Sequence, residues 1–188
     1  MKRKNFIQSS FGVLTTALLP GLRGLSNNED ETLLVAPPSL KTGDIIGITS
    51  PAGYITRDEI KSAVQKMESW GYKITIGDTI DKRDYTFGGT DEERTKDFQQ
   101  MLDDPKIKAI MCARGGYGVV RIIDKLNWDK FKTKPKWIIG FSDVTVIHSH
   151  LNKNFGIASI HSKMCNSFPD DWSLAEPIQI ETIESIQV

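Results

Sequence analysis

The sequence predicts an α/β domain built on an open, doubly wound, mostly parallel sheet. Three observations carry this expectation. Short apolar runs alternate with segments whose apolar residues recur at spacings of three and four. Parallel strands need a crossover, which a helix supplies, so such alternation points to parallel pairing. Three of the apolar runs also end in turns rich in glycine or small polar residues, at 50–54, 114–118 and 142–143. In a sheet of this kind ligands collect at the carboxyl ends of the strands, so these turns should converge on one site.

In chain order, Lys41-Thr42-Gly43-Asp44 reads as a turn and residues 45–49 as a buried strand. Residues 57–70 place Ile60, Ala63, Val64, Met67 and Trp70 on one helical face, and Gly71 stops the helix. Residues 72–76 form the next strand. Thr90 followed by Glu93 predicts a capping box at the head of a second helix, which Asp103-Asp104-Pro105 ends. A third strand spans 107–113, a helix 119–126, a fourth strand 137–141 and a further helix 143–152. Residues 157–160 are read as a fifth strand, and 174–186 as a linker or helix.

The 188 residues suffice for one domain with a sizeable core. Lysine plus arginine equals aspartate plus glutamate, 24 each, so no long-range field exists to hold nucleic acid or an anionic membrane. Cys112 and Cys165 lack C-x-x-C spacing, which argues against zinc or a redox pair, and Cys112 reads as a buried structural thiol. The N-terminus carries Lys2, Arg3 and Lys4 ahead of a short apolar stretch at 11–22 and an acidic segment at 26–31. That layout predicts an export signal, and hence a periplasmic protein, against the alternatives of a disordered tail and a cytoplasmic chain. The stretch is too short and too broken by Pro20 and Gly21 to span a bilayer.

Two segments could carry chemistry. In Gly140-Phe141-Ser142-Asp143 a serine sits where a strand turns sharply into a helix. Such a turn lifts the hydroxyl clear of the sheet, over unpaired N–H groups and the positive end of the helix dipole. Ser142 is read either as a nucleophile or as a simple N-cap. The G-x-S-x-G elbow pattern is matched only in part, because Val144 replaces its last glycine. In Arg114-Gly115-Gly116-Tyr117-Gly118 the glycines let backbone N–H groups approach a ligand, and Arg114 can grip a carboxylate with paired hydrogen bonds. A structural tight turn is the alternative. Neither G-x-G-x-x-G nor a phosphate-loop lysine is present, so a nucleotide site is poorly supported.

Four segments in order, Ser50-Pro51-Ala52-Gly53, Phe87-Gly88-Gly89-Thr90-Asp91-Glu92-Glu93-Arg94, Arg114 to Gly118 and Gly140 to Asp143, resemble the N-terminal domain of the LD-carboxypeptidases. That serine peptidase family includes muramoyltetrapeptide carboxypeptidase and the microcin-immunity peptidase. The resemblance runs from about Pro37 to about Met164 and implies a class I glutamine amidotransferase-like (flavodoxin-like) fold. It also implies hydrolysis of the L,D bond holding the terminal D-alanine of a peptidoglycan tetrapeptide, with no metal or organic cofactor. Ser142 is then the nucleophile. The N–H groups of Gly115, Gly116 and Asp143 form the oxyanion hole, and Arg114 and Tyr117 shape the substrate pocket. A glutamine-amidotransferase activity is disfavoured, since it needs a cysteine where Ser142 stands.

In the family a histidine base and its glutamate come from a C-terminal domain, which the 188 residues are expected to lack. His148 and His150, two apart on one helix, point to different faces, and His161 matches a position outside the family's triad. The expected organisation is a signal and leader at 1–36, the nucleophile-bearing domain at 37–170, and a linker or helix at 171–188. The chain alone is expected to be inactive. An uncovered apolar interdomain face, inviting homodimerisation, is a further expectation, and a non-catalytic module that binds peptidoglycan peptides is the alternative function.

Overall fold

The structure, a computed structural model, describes residues 34–187. The expected export signal lies outside the described residues. Strands β1 (Ile45–Thr49), β2 (Lys73–Ile76), β3 (Ile107–Cys112), β4 (Trp137–Gly140) and β5 (Ile160–His161) form one sheet. All four pairings are parallel, in the order β2-β1-β3-β4-β5. The order reverses between β1 and β3, which opens a crevice at their carboxyl ends.

Helices α1 (Lys61–Ser69), α2 (Asp91–Asp103), α3 (Asp129–Thr133), α4 (Thr145–Phe155) and α5 (Pro177–Glu184) cover both faces. The two faces follow from strand alternation. Ile110 and Cys112 of β3 join a cluster with Phe98 of α2, Phe131 of α3 and Leu151 of α4. Ala109 and Met111 point the other way, into a cluster with Ala63 and Met67 of α1 and Ile183 of α5. The doubly wound parallel sheet is thus as expected, and Cys112 is fully buried, with burial pushing its thiol well above the ordinary range. Ile183 and Ile186, in the segment after 170, are also fully buried.

Local chemistry explains most boundaries. Thr90 Oγ1 accepts the Glu93 N–H at 3.2 Å, and Glu93 Oε2 accepts the Thr90 N–H at 2.9 Å, so the capping box forms as read. Gly71 takes φ 88° immediately after α1, which only glycine does without strain.

Four expectations are corrected. The helix expected over 119–126 is instead two 3₁₀ turns, Val119–Arg121 and Ile123–Lys125. Four of its first five residues are β-branched, and no side chain caps its start. The helix expected from residue 57 begins at Lys61, after a turn. The helix expected from Asp143 enters through a 3₁₀ turn, Ser142–Val144. The fifth strand lies at Ile160–His161, while Ile157 makes an isolated bridge to Val35. Helix α3 was not foreseen, although Asn127 marks its start by accepting the Asp129 N–H at 2.8 Å.

Candidate active site

The three strand-end turns do converge. Gly53 N–H donates to Gly115 O at 3.0 Å, joining the turn after β1 to that after β3. A Cβ on Gly115 would lie 2.9 Å from Ser142 Cβ and 3.1 Å from Ser142 Oγ, so the diglycine bend presses against the serine. No side chain larger than hydrogen fits there. Asp143 links the same two segments, its carboxylate accepting the Val119 N–H at 2.9 Å.

Ser142 has φ 60°, the left-handed region, one residue past an extended Phe141. For a residue with a Cβ this conformation costs roughly 1–2 kcal/mol, and it persists only where the surroundings impose it. Gly140 makes the tight turn feasible, because a Cβ there would meet Val144 Cγ1 at 2.9 Å. The residue that breaks the expected G-x-S-x-G spacing therefore packs over the first glycine of the turn. Ser142 is exposed, while Val144 is fully buried. Among the described residues the N–H groups of Gly115, Gly116 and Asp143 find no acceptor in the protein. Gly116, at φ 119°, turns the backbone there.

The other expected site residues, Arg114 and Tyr117, lie exposed on the turn after β3. Arg114 is half-exposed, donates to Tyr54 O at 3.2 Å and lies 3.8 Å from Glu59. Tyr117 is 58% exposed, its ring 6.3 Å from that of Phe87. Tyr85 and Val120 are also exposed apolar side chains.

No histidine serves Ser142 among the described residues. His148 has both ring nitrogens engaged, Nε2 with Gly140 O at 2.9 Å and Nδ1 with Ser159 Oγ at 2.7 Å. A carbonyl only accepts, so Nε2 carries the proton and donates. His150 packs between Trp128 and Phe155, and the His161 ring meets Phe141 edge-on and His148 at a tilt.

Burial lowers the His148 pKa, opposed by the hydrogen bond to Gly140, with His161 lowering it further. Because the folded value lies below the unfolded one, this group contributes full stability above about pH 6.5, and the contribution is lost as pH falls from there through the lower folded value. Urea midpoints measured between about pH 7.5 and about pH 5 should fall more steeply for the native chain than for His148→Gln. Parallel slopes would remove His148 from that role.

Two residues whose part in the site the sequence reading missed lie beneath it. Arg94, fully buried, donates to Pro51 O at 2.5 Å, Gly118 O at 3.0 Å and Gly89 O at 3.2 Å, and pairs with Asp91. It thereby ties together the turns after β1 and β3 and the start of α2. Asp97, also buried, accepts from Thr49 Oγ1 at 2.7 Å, Thr79 Oγ1 at 2.5 Å and the N–H groups of Asp78 and Thr79. A charged residue at helical spacing reads as solvated, so only the fold reveals that these two point inward.

A parallel sheet whose carboxyl-end turns enclose a strained, exposed serine defines an α/β domain of the elbow type. Comparison with known proteins gives the family. Residues 46–162 match the model described as the LD-carboxypeptidase N-terminal domain, and the chain belongs to that family. It is 36% identical over 141 residues to a Synechocystis sp. protein that carries a carboxypeptidase name, covering 73% of this chain and 46% of the relative. It is 31% identical over 117 residues to the murein tetrapeptide carboxypeptidase of Pseudomonas aeruginosa, covering 62% and 38%. The solved structure of MccF with glutamyl sulfamoyl guanosine superposes with a TM-score of 0.70 at 28% identity, covering 82% of this chain and 46% of that one. The chain spans less than half the length of these relatives.

Proposed function

We propose that this chain is the nucleophile-bearing part of a serine LD-carboxypeptidase that removes the terminal D-alanine from peptidoglycan tetrapeptides, working in the periplasm after export. The observation that carries the reading is the left-handed, exposed Ser142 pressed against Gly115. Its hydroxyl oxygen gives its proton to a base and attacks the carbonyl carbon of the L,D bond; the C–N bond breaks, D-alanine leaves as the protonated amine, and water then hydrolyses the acyl-enzyme ester. The N–H groups of Gly115, Gly116 and Asp143 take the oxyanion, where preorganised donors act most strongly. Arg114 receives the C-terminal carboxylate of the peptide, and Tyr117 borders the pocket. The family's relatives named for murein tetrapeptide cleavage support the substrate class. MccF, also similar in fold, has been solved as an active-site mutant in which a serine is among the replaced residues.

The hydroxyl needs a base, and among the described residues no histidine hydrogen-bonds to it, His148 having both ring nitrogens engaged elsewhere. Serine without its base keeps only a small part of the triad's rate. The 188-residue chain alone should therefore release no measurable D-alanine from a muropeptide tetrapeptide. Release should appear when a family C-terminal domain carrying the glutamate and histidine is joined to it. Robust turnover by the chain alone, lost on Ser142→Ala, would overturn the missing-base argument; failure of the joined protein to turn over would overturn the peptidase reading.

The lack of a histidine bonded to Ser142 among the described residues favours, as a second reading, a module that binds peptidoglycan peptides without cleaving them. Tetrapeptide binding abolished by Arg114→Ala, with no turnover in the joined protein, would select it.

A further inference from the structure

At the opposite end of the sheet a cavity of about 860 Å³ lies between the loop before β1, the C-terminal ends of α2 and α3, and the starts of β3 and β4. Its volume falls in the range of roughly 300–1,000 Å³ typical of small-ligand sites. Five lysines line it: Lys41, Lys108, Lys130, Lys134 and Lys136. Against them stand two carboxylates, Asp44 and Asp103. In a chain with no net charge, this is a local concentration of positive charge.

The partners of these lysines leave cationic capacity over. Lys130 pairs with Asp103 at 3.2 Å, and Lys108 Nζ donates to Pro105 O at 3.0 Å. Among the described residues the side-chain amines of Lys41 and Lys134 have no acceptor. Lys136 is 5% exposed at the floor, donating to Met101 O at 2.9 Å and Asp104 O at 2.7 Å. Those bonds neutralise the carbonyl end of α2, which would otherwise repel an anion. Leu102 and Ile107 add apolar wall, lowering the local dielectric and strengthening each charge interaction.

We infer that this cavity binds a small multivalent anion, bearing carboxylate or phosphate groups, at a site separate from Ser142. Burial lowers the Lys136 pKa to about 8, with Lys108 lowering it further and Asp103 and Asp104 opposing. Lys41, Lys130, Lys134 and Asp44 are the remaining charged groups around it. A bound anion favours the charged amine, so binding near that pH takes up protons.

Isothermal titration of the purified chain with citrate and with tripolyphosphate tests this, the preferred probe separating carboxylate from phosphate chemistry. Saturable binding with a dissociation constant below about 1 mM is expected. The double variant Lys41→Glu/Lys134→Glu should weaken it at least about tenfold, while Lys153→Glu, on α4, should change it less than about twofold. At pH about 8 the heat should vary with the ionisation enthalpy of the buffer, reporting proton uptake. Absence of saturable binding for both probes, or binding that the double variant leaves unchanged, overturns the site. A buffer-independent heat overturns the part given to Lys136.

Discussion

On the proposed function, in a protein that joins this chain to a family C-terminal domain, Ser142→Ala should lower D-alanine release by about 10³-fold or more, and Gly115→Ala by about 10²–10³-fold. The two losses have different physical origins. Ser142→Ala removes the oxygen proposed to attack and leaves the loops intact. Gly115→Ala keeps the oxygen but places a methyl 2.9 Å from Ser142 Cβ, so the serine or the bend must move. Either displacement parts the hydroxyl from the N–H groups proposed to receive the developing charge. Ser142→Ala should therefore bind tetrapeptide with near-native affinity, whereas Gly115→Ala should lose kcat and gain KM together. Release retained within threefold in Gly115→Ala would show that the bend does not serve the serine.

Arg94→Ala should destabilise the domain by about 3–5 kcal/mol, a large share of the total stability of a domain this size. Three buried carbonyls, those of Pro51, Gly89 and Gly118, would lose their donor at once. Asp91 would still pair with Arg121 at 2.9 Å, which moderates the loss on that side. Arg94→Lys keeps the charge, but an ammonium on a single stem cannot reach three carbonyls in a planar fork, so it should recover only part of the stability. Urea unfolding followed by far-ultraviolet circular dichroism measures both. A midpoint for Arg94→Ala that equals the native one would refute the idea that this guanidinium joins the turns.

How much was visible before the fold was known depends on the range of the interactions. The capping box of Thr90 and Glu93, the stop at Gly71 and the alternation that implies parallel strands are set by residues a few positions apart, and all appear as read. The same is true of the three turns that meet, since strand ends in such a sheet share one edge. Helix limits near 57 and 119 were misplaced because periodicity ignores missing caps and β-branched crowding.

By itself the sequence determined the fold class, the elbow at Ser142 and the glycine bend, because each is encoded by local pattern and backbone permissiveness. Only the tertiary structure decided that Ser142 is held left-handed, that Val144 packs over Gly140, that Asp143 holds the glycine loop, and that Arg94 and Asp97 lie buried under the site. Apart from the Val144–Gly140 contact, the decisive ones join residues roughly 20 to 50 positions apart, and a charged side chain finds its burial partners only after the chain has folded back on itself.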